Sequence, residues 1–117
     1  MTALGTNLKW TLGHTHREAM RNMFEVFGVK HVSPMDDFDL FTLGDGANIG
    51  VYYVQDDQAL DSAQMERGAW IELLVDDELA VMNALAEQDI TPFEYFDKDH
   101  RYFRAPGGQV FRLASRA

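Results

Sequence analysis

The sequence predicts an α+β fold made of two similar halves, each with the element order β-α-β-β-β. Three observations carry this prediction. Apolar and polar residues alternate along 7–12 and again along 69–75, as they do in strands with one buried face. A helical pattern follows each of these strands. The two copies are offset by about half of the 117-residue chain, so that Leu8 corresponds to Ile71.

The first half begins with the strand over 7–12. Thr15 and Glu18 have the spacing of a capping box, in which a hydroxyl and a carboxyl serve free amides of the first helical turn. Apolar residues then recur at helical spacing, so a helix is expected at about 15–27. A Gly-Asp-Gly turn is predicted at 44–46. The remaining strands of this half are predicted at 29–32, 38–43 and 48–54.

The second half follows a polar and acidic connector at about 56–68. Its first strand is predicted at 69–75, and Asp76 or Asp77 can cap a helix that runs to about Gln88. Three more strands complete the repeat, at 91–96, 101–105 and 109–114.

The two halves are expected to pack as a single domain over residues 1–117. Their βαβββ units are predicted at about 6–55 and about 69–115. Neither unit alone could readily bury one face of its sheet, whereas a chain that is 46% hydrophobic can build one cohesive core.

Composition excludes several classes of function. The chain has no cysteine, so disulfides and thiolate ligands or nucleophiles are excluded. Nineteen acidic against ten basic residues give a net charge of −9, which would repel a nucleic-acid backbone. The apolar runs have strand length, and the first residues lack the pattern of a secretion signal. We therefore expect a cytoplasmic protein with no nucleic-acid or membrane partner.

Two segments carry a resemblance to a known family. Residues 17–28 form a helical segment that ends in Phe27-Gly28, and residues 101–113 contain a turn before the last strand. Both are similar to segments of the vicinal oxygen chelate superfamily, which includes glyoxalases, bleomycin-resistance proteins and extradiol dioxygenases. The family's Phe-x-Asp-Pro-Asp-Gly turn has Ala105 and Gly107 here in place of its two acids. The resemblance implies βαβββ units whose curved mixed sheets form an open cleft, with the helices outside.

The resemblance also implies four places for metal ligands on the cleft side of the strands. On this sequence they fall on Asn7, Gly50 (or Val51), Trp70 and Arg112. The side chains of Gly50 and Trp70 offer no lone pair to a metal, and Arg112 is permanently cationic. We therefore expect no metal and no cofactor. His14 and His16 are the alternative metal ligands that the sequence leaves open.

A ligand-binding surface is predicted from the alternation of the strands and the implied cleft. Its residues are Asn7, Lys9, Thr11, Tyr52, Trp70, Glu72 and Arg112. Trp70 and Tyr52, with Tyr102 or Phe103, would form aromatic walls, or they would fill the cleft or a subunit interface. Glu72 is either half of an ion pair or a general base. The second role would make it the catalytic residue, and it is the one candidate for that role.

Three functions remain as interpretations of the sequence. The first is a metal-free homodimer that binds a small molecule, apolar or aromatic. It resembles the bleomycin-resistance proteins of this superfamily, which sequester a ligand between paired subunits without chemistry. The second is a glyoxalase-type or dioxygenase-type enzyme with a displaced metal site or with Glu72 as base. The third is an interaction protein with a closed cleft.

Overall fold

The structure is a computed structural model that describes residues 1–116. Within these residues the chain divides into two compact units, the first formed by Met1–Ala59 and the second beginning at Leu60. Each unit contains one four-stranded mixed sheet with helical segments. The predicted α+β class and the predicted repeat of element order are confirmed.

The first unit has the strand order β1-β4-β3-β2. Strands β1 and β4 are parallel, and the other neighbouring pairs are antiparallel. Its elements are β1 (Asn7–Gly13), α1 (Arg17–Val26), β2 (Lys30–Met35), β3 (Phe38–Thr42) and β4 (Asn48–Val54).

Helix α1 packs on this sheet because one face of it is apolar. Met20, Met23 and Phe24 are buried, and the Phe24 ring stacks on Phe41 of β3 at 4.2 Å between centroids. The helix ends before Gly28, which has φ of +66° as its predicted role at a helix end requires.

The predicted capping box at the start of α1 is wrong. The hydroxyl of Thr15 donates to the two carboxylate oxygens of Asp56 at 3.1 and 3.0 Å. A short 3₁₀ turn at His14–His16 precedes the helix, and His16, which occupies the N-cap position, makes no side-chain capping bond. A long-range partner therefore takes the hydroxyl that the local pattern assigned to the helix.

The second unit has the equivalent strand order, β5-β8-β7-β6, and its strands β5 and β8 are parallel, as β1 and β4 are in the first unit. Its elements are α2 (Ser62–Glu66), β5 (Trp70–Val75), α3 (Glu78–Ala86), β6 (Pro92–Phe93), β7 (Arg101–Arg104) and β8 (Val110–Ser115). The side chain of Asp77 caps α3, as predicted, by accepting from the amide of Ala80 at 3.0 Å.

Two parts of the second unit differ from the prediction. The strand expected at 91–96 is reduced to Pro92–Phe93. The expected connector contains α2, whose start is capped reciprocally by Asp61 and Gln64. Gly108, in the turn between β7 and β8, has φ of +101°, and a Cβ added there would lie 2.8 Å from Cα of Ser62. The α2 segment thus belongs to the body of the second unit.

No helix within residues 1–116 has the length and apolar character needed to cross a membrane.

Candidate functional site

The second sheet presents a face, called here the Trp70 face, on which the predicted site residues of this unit meet. Strand register pairs Trp70 with Val110, and Glu72 with Arg112, so these four side chains share a side of the sheet. Antiparallel pairing of β7 with β8 adds Tyr102 and Arg104 to it. The opposite side carries the core residues Leu73, Phe103, Phe111 and Leu113.

Arg112 lies at the centre of a polar cluster on the Trp70 face. Its Nε and Nη2 donate to Oε2 of Glu72 at 2.8 and 2.5 Å. Its Cζ lies 4.1 Å from the centroid of the Trp70 ring, and its Nη1 is 3.4 Å from Asp97 and from the Tyr102 hydroxyl. The hydrogen bond to Tyr102 and the ion pair with Glu72 raise the pKa of Arg112 above its usual value. The ion pair that was one predicted role of Glu72 is therefore present, and its role as a general base stays a prediction.

Asp97 connects this cluster to the segment between β6 and β7. It accepts from the backbone amide of Asp99 at 2.8 Å, from the Tyr102 hydroxyl at 3.1 Å and from Nδ1 of His100 at 2.5 Å. The backbone bond from Asp99, followed by the bonds from His100 and Tyr102, lowers the pKa of Asp97. The carboxylate thus ties together residues 97–102, which lead into β7.

A cavity of about 420 Å³, called here the Trp70 cavity, lies next to the cluster. Its aromatic walls are Trp70, Phe93 and Tyr95, and Ala63 and Val110 add aliphatic lining. Four charged side chains also line it: Glu66, Arg67, Glu94 and Arg104. Trp70 belongs to both the cluster and the cavity, and 39% of its surface is exposed.

One guanidinium is held within the wall of this cavity. Nη2 of Arg104 lies 2.6 Å from Oε1 of Glu66, and Cζ of Arg104 lies 3.9 Å from the centroid of the Phe93 ring. The hydrogen bond from Arg104 lowers the pKa of Glu66.

Tyr102 and Phe103, the two alternatives for a further aromatic wall, lie on opposite sides of the second sheet. Tyr102 lies on the Trp70 face, where its ring packs against Tyr95 at 4.5 Å and meets Trp70 edge-on at 6.2 Å between centroids. Phe103 is fully buried on the opposite side and stacks on Phe111.

Sequence reasoning missed Phe93, Tyr95, Asp97 and Arg104. Alternation along β7 was a usable signal for Arg104, since it shares a side with Tyr102. No local pattern marks Asp97 or Tyr95, because both lie outside regular structure.

The remaining predicted ligand residues lie on the sheet of the first unit. Lys9, Thr11 and Tyr52 come together there: Nζ of Lys9 donates to Thr11 at 3.1 Å and lies 5.4 Å from the centroid of the Tyr52 ring. The Tyr52 ring also contacts Phe38 at 4.3 Å between centroids. Asn7 is engaged separately, because its side-chain oxygen accepts from Asn48 at 3.2 Å.

The residues at the family's four metal places do not fit a divalent cation. A Cβ at Gly50 would lie 2.7 Å from the Phe38 ring, so that ring occupies the space a ligand side chain would need. The place on the last strand holds the Arg112 guanidinium, already paired with Glu72. Within residues 1–116 no three His, Asp or Glu side chains lie close enough together to hold a metal ion. His14 and His16, the alternative metal ligands, therefore belong to no such group.

The first unit contains a second charged cluster, centred on the fully buried Asp39. Side-chain nitrogens of Arg17, Arg21 and His31 lie 2.9, 2.9 and 3.1 Å from its carboxylate oxygens. The Ser33 hydroxyl donates a hydrogen bond to the same carboxylate at 2.7 Å. Burial opposes ionisation of this group, but the hydrogen bonds from Arg21 and Arg17 outweigh it and hold the pKa of Asp39 far below its usual range. The cluster joins α1 and β2 to β3, which gives it a structural role.

Comparison with solved structures identifies the architecture. The fosfomycin resistance protein FosX of Listeria monocytogenes, complexed with Mn(II) and sulfate, matches all of this chain and 92% of its own with a TM-score of 0.74, at 10% sequence identity. A glyoxalase/bleomycin resistance protein from Catenulispora acidiphila matches 98% of this chain and 100% of its own, with a TM-score of 0.66 at 14% identity. This chain has the glyoxalase/bleomycin-resistance fold.

A possible glyoxalase from Bacillus cereus has the same fold, with a TM-score of 0.68 at 18% identity over 95% of this chain and 98% of its own. The predicted resemblance to the vicinal oxygen chelate superfamily is thus confirmed at the level of the fold. No protein-family model and no curated protein matches the sequence. Proteins of this fold include the manganese complex of FosX, so the fold leaves the activity of this chain to be argued from its own residues.

Proposed function

We propose that this protein binds a small aromatic or apolar molecule in the Trp70 cavity, without a metal ion. The observation that carries the proposal is the partly exposed indole of Trp70 beside a cavity with two more aromatic walls, Phe93 and Tyr95. Concave sites with mostly apolar walls and a few polar groups are the ordinary form of small-molecule sites, and about 420 Å³ is within their usual range of roughly 300–1,000 Å³.

The position of the Trp70 ring supports its role as a wall. A ring that fills a cavity is enclosed on all sides, whereas 39% of Trp70 is exposed. The Arg112 guanidinium lies over the ring, and Glu72 and Asp97 hold that guanidinium. The indole is therefore oriented in advance, which reduces the entropy lost when a ligand packs against it.

The charged groups on the Trp70 face support binding without a metal. The Glu72 carboxylate already has a cationic partner in Arg112. A divalent ion on this face would have to displace that partner and lie beside a guanidinium, which is electrostatically unfavourable.

A binding screen tests the proposal. Planar aromatic compounds, together with bleomycin and fosfomycin, are titrated with and without Mn(II) while the indole N–H signals of Trp70 and Trp10 are followed by NMR. Binding in the Trp70 cavity should shift the Trp70 signal and need no metal. Trp70→Ala should weaken such a ligand by about 1–3 kcal/mol. Leu79→Ala, an exposed apolar truncation on α3, serves as the control and should leave affinity unchanged.

Two results would contradict the proposal. One is a ligand whose binding depends on added Mn(II). The other is a ligand that binds Trp70→Ala as tightly as the unchanged protein.

A further inference from the structure

We propose that the ligand of the Trp70 cavity carries a planar cationic group, an amidinium or guanidinium, and that Arg104 occupies the subsite of that group until the ligand displaces it. This inference rests on the proposed function and names its ligand class.

The wall of the cavity already binds a cation of this kind. The guanidinium of Arg104 is held by the Glu66 carboxylate at 2.6 Å and by the face of Phe93 at 3.9 Å. A carboxylate combined with an aromatic face is a recurrent way to recognise cations, because both the charge and the ring quadrupole attract them. The same face repeats the combination where Arg112 lies between Glu72 and Trp70.

The Arg104 pair is placed so that a ligand can replace it. The side chains of Arg104 and Glu66 are 45% and 36% exposed, and ion pairs with that exposure contribute little to stability. A long, flexible arginine side chain can move into solvent and keep its charge hydrated. Displacement would leave the Glu66 carboxylate and the Phe93 ring in place for the incoming cation.

The charge balance of the lining favours a cation over an anion. With Arg104 in the wall, Glu66 and Glu94 are balanced by Arg67 and Arg104. Lys98 pairs with Glu94 at 3.8 Å, so with Arg104 in solvent it is Glu66 that loses its bonded cation, and a cationic ligand restores that pair. The net charge of −9 on the whole chain also attracts cations and repels anions.

Three probes of nearly equal shape test the ligand class: benzamidine is cationic, benzamide is neutral and benzoate is anionic. Each is titrated into the intact protein while the indole N–H signals of its two tryptophans are followed by NMR. Benzamidine should shift the Trp70 signal and should bind severalfold more tightly than either of the other two. Tighter binding of benzoate or benzamide would overturn the inference.

Variants then test the role of Arg104. Arg104→Met removes the competing guanidinium but keeps a long side chain, so benzamidine should bind severalfold more tightly. Arg101→Met is the matched control: Arg101 is on the same strand, is 48% exposed and pairs with Glu78, and its loss changes the net charge equally. Glu66→Gln should weaken benzamidine binding severalfold. Weaker binding by Arg104→Met, or equal effects of Arg104→Met and Arg101→Met, would overturn the inference.

The outcomes separate this inference from the proposed function. If benzamide or benzoate shifts the Trp70 signal and benzamidine does not, the cavity binds small aromatic molecules but the cation subsite is wrong. If none of the three shifts that signal at millimolar concentration, the cation inference fails, and the wider screen alone decides whether the cavity is a binding site.

Discussion

The guanidinium of Arg112 lies over the indole of Trp70, with Cζ 4.1 Å from the ring centroid. The contact joins the polar cluster of the second sheet to the aromatic wall of the cavity. Glu72 lies two residues after Trp70 on β5 and accepts hydrogen bonds from Nε and Nη2 of Arg112. Because this ion pair fixes the guanidinium, it also helps to set the orientation of the indole. Polar and apolar parts of this face are therefore structurally coupled.

The two tryptophans should differ in what they contribute to stability. Trp70→Ala should cost about 1–2 kcal/mol of unfolding free energy, because the ring is partly exposed. Trp10→Ala should cost about 3–5 kcal/mol, because Trp10 is 8% exposed and its loss leaves a cavity in the core. Urea unfolding of both variants measures the difference. A Trp70→Ala variant as unstable as Trp10→Ala would show that Trp70 fills space and is not a binding wall.

Asp39→Asn should destabilise the first unit by about 3 kcal/mol at pH 7, because it removes the negative charge that Arg17 and Arg21 share. The pKa of Asp39 is lower in the folded than in the unfolded protein, so its contribution is complete above the unfolded value of about 3.9. The contribution is lost as the pH falls from about 4 toward the folded pKa. The stability difference between the unchanged protein and the variant should accordingly shrink between pH 5 and about pH 3.

Asp57→Asn provides the control for this pH dependence, since Asp57 is exposed in the turn after β4. It should change stability by less than about 0.5 kcal/mol at either pH. A stability difference for Asp39→Asn that stays constant between pH 5 and 3 would contradict the assigned charge state of the cluster.

Gly108→Ala should destabilise the protein much more than Gly46→Ala, although both glycines have positive φ. A methyl group at 108 would meet the backbone of Ser62, with its Cα at 2.8 Å, whereas the space at 46 is open. The strain of the left-handed conformation, about 1 kcal/mol, is common to both. Thermal unfolding should therefore show a small loss for Gly46→Ala and a loss of several kcal/mol for Gly108→Ala. Equal losses would mean that the α2 segment does not lie against the turn.

We expect a homodimer in solution. Large apolar side chains are exposed on the strands, among them Leu8, Val32, Tyr52 and Leu74, the last with 60% of its surface exposed. Such residues on sheet faces and edges usually need cover. Light scattering at micromolar concentration should give about twice the 13.3 kDa mass of one chain. A mass of one chain would contradict the expectation.

Protein purified without chelator should contain no stoichiometric zinc, manganese, nickel or iron. The physical reason is the residue set at the four expected places, where Gly50 is covered by Phe38 and Arg112 supplies a positive charge. Elemental analysis measures the content directly. One metal ion per chain, lost on changing Asn7 or His14 to Ala, would show that the metal-free assignment is wrong.

The repeat and most of the fold could be predicted from the sequence because they depend on local periodicity. A strand with one buried face shows its period of two directly, which placed β1 and β5 to within a residue at their starts. Long-range partners overrode local patterns elsewhere. Thr15 bonds to Asp56 in place of capping α1, and Tyr95 leaves the sheet to pack on Tyr102.

The candidate site was predicted only in part for the same reason. Trp70, Glu72 and Arg112 follow from alternation and register, but the cavity beside them is assembled from the ends of separate strands and from α2. Asp39 was missed because a single carboxylate in a short strand does not reveal its partners. The spacing of Arg17 and Arg21 was the available signal, because it places two guanidiniums one turn apart on the same helix face. Such a pair indicates a carboxylate opposite this face, where Asp39 lies.

The close approach of Gly108 to Ser62 affects where a fragment containing the second half of the protein should begin. The sequence repeat suggests cutting before residue 69, where the second alternating strand begins. A fragment made that way would lose Ser62, against which the Pro-Gly-Gly turn is packed, and Glu66, the partner of Arg104. Expression of the second half as a separate polypeptide should therefore start at or before Leu60, the boundary of the compact unit.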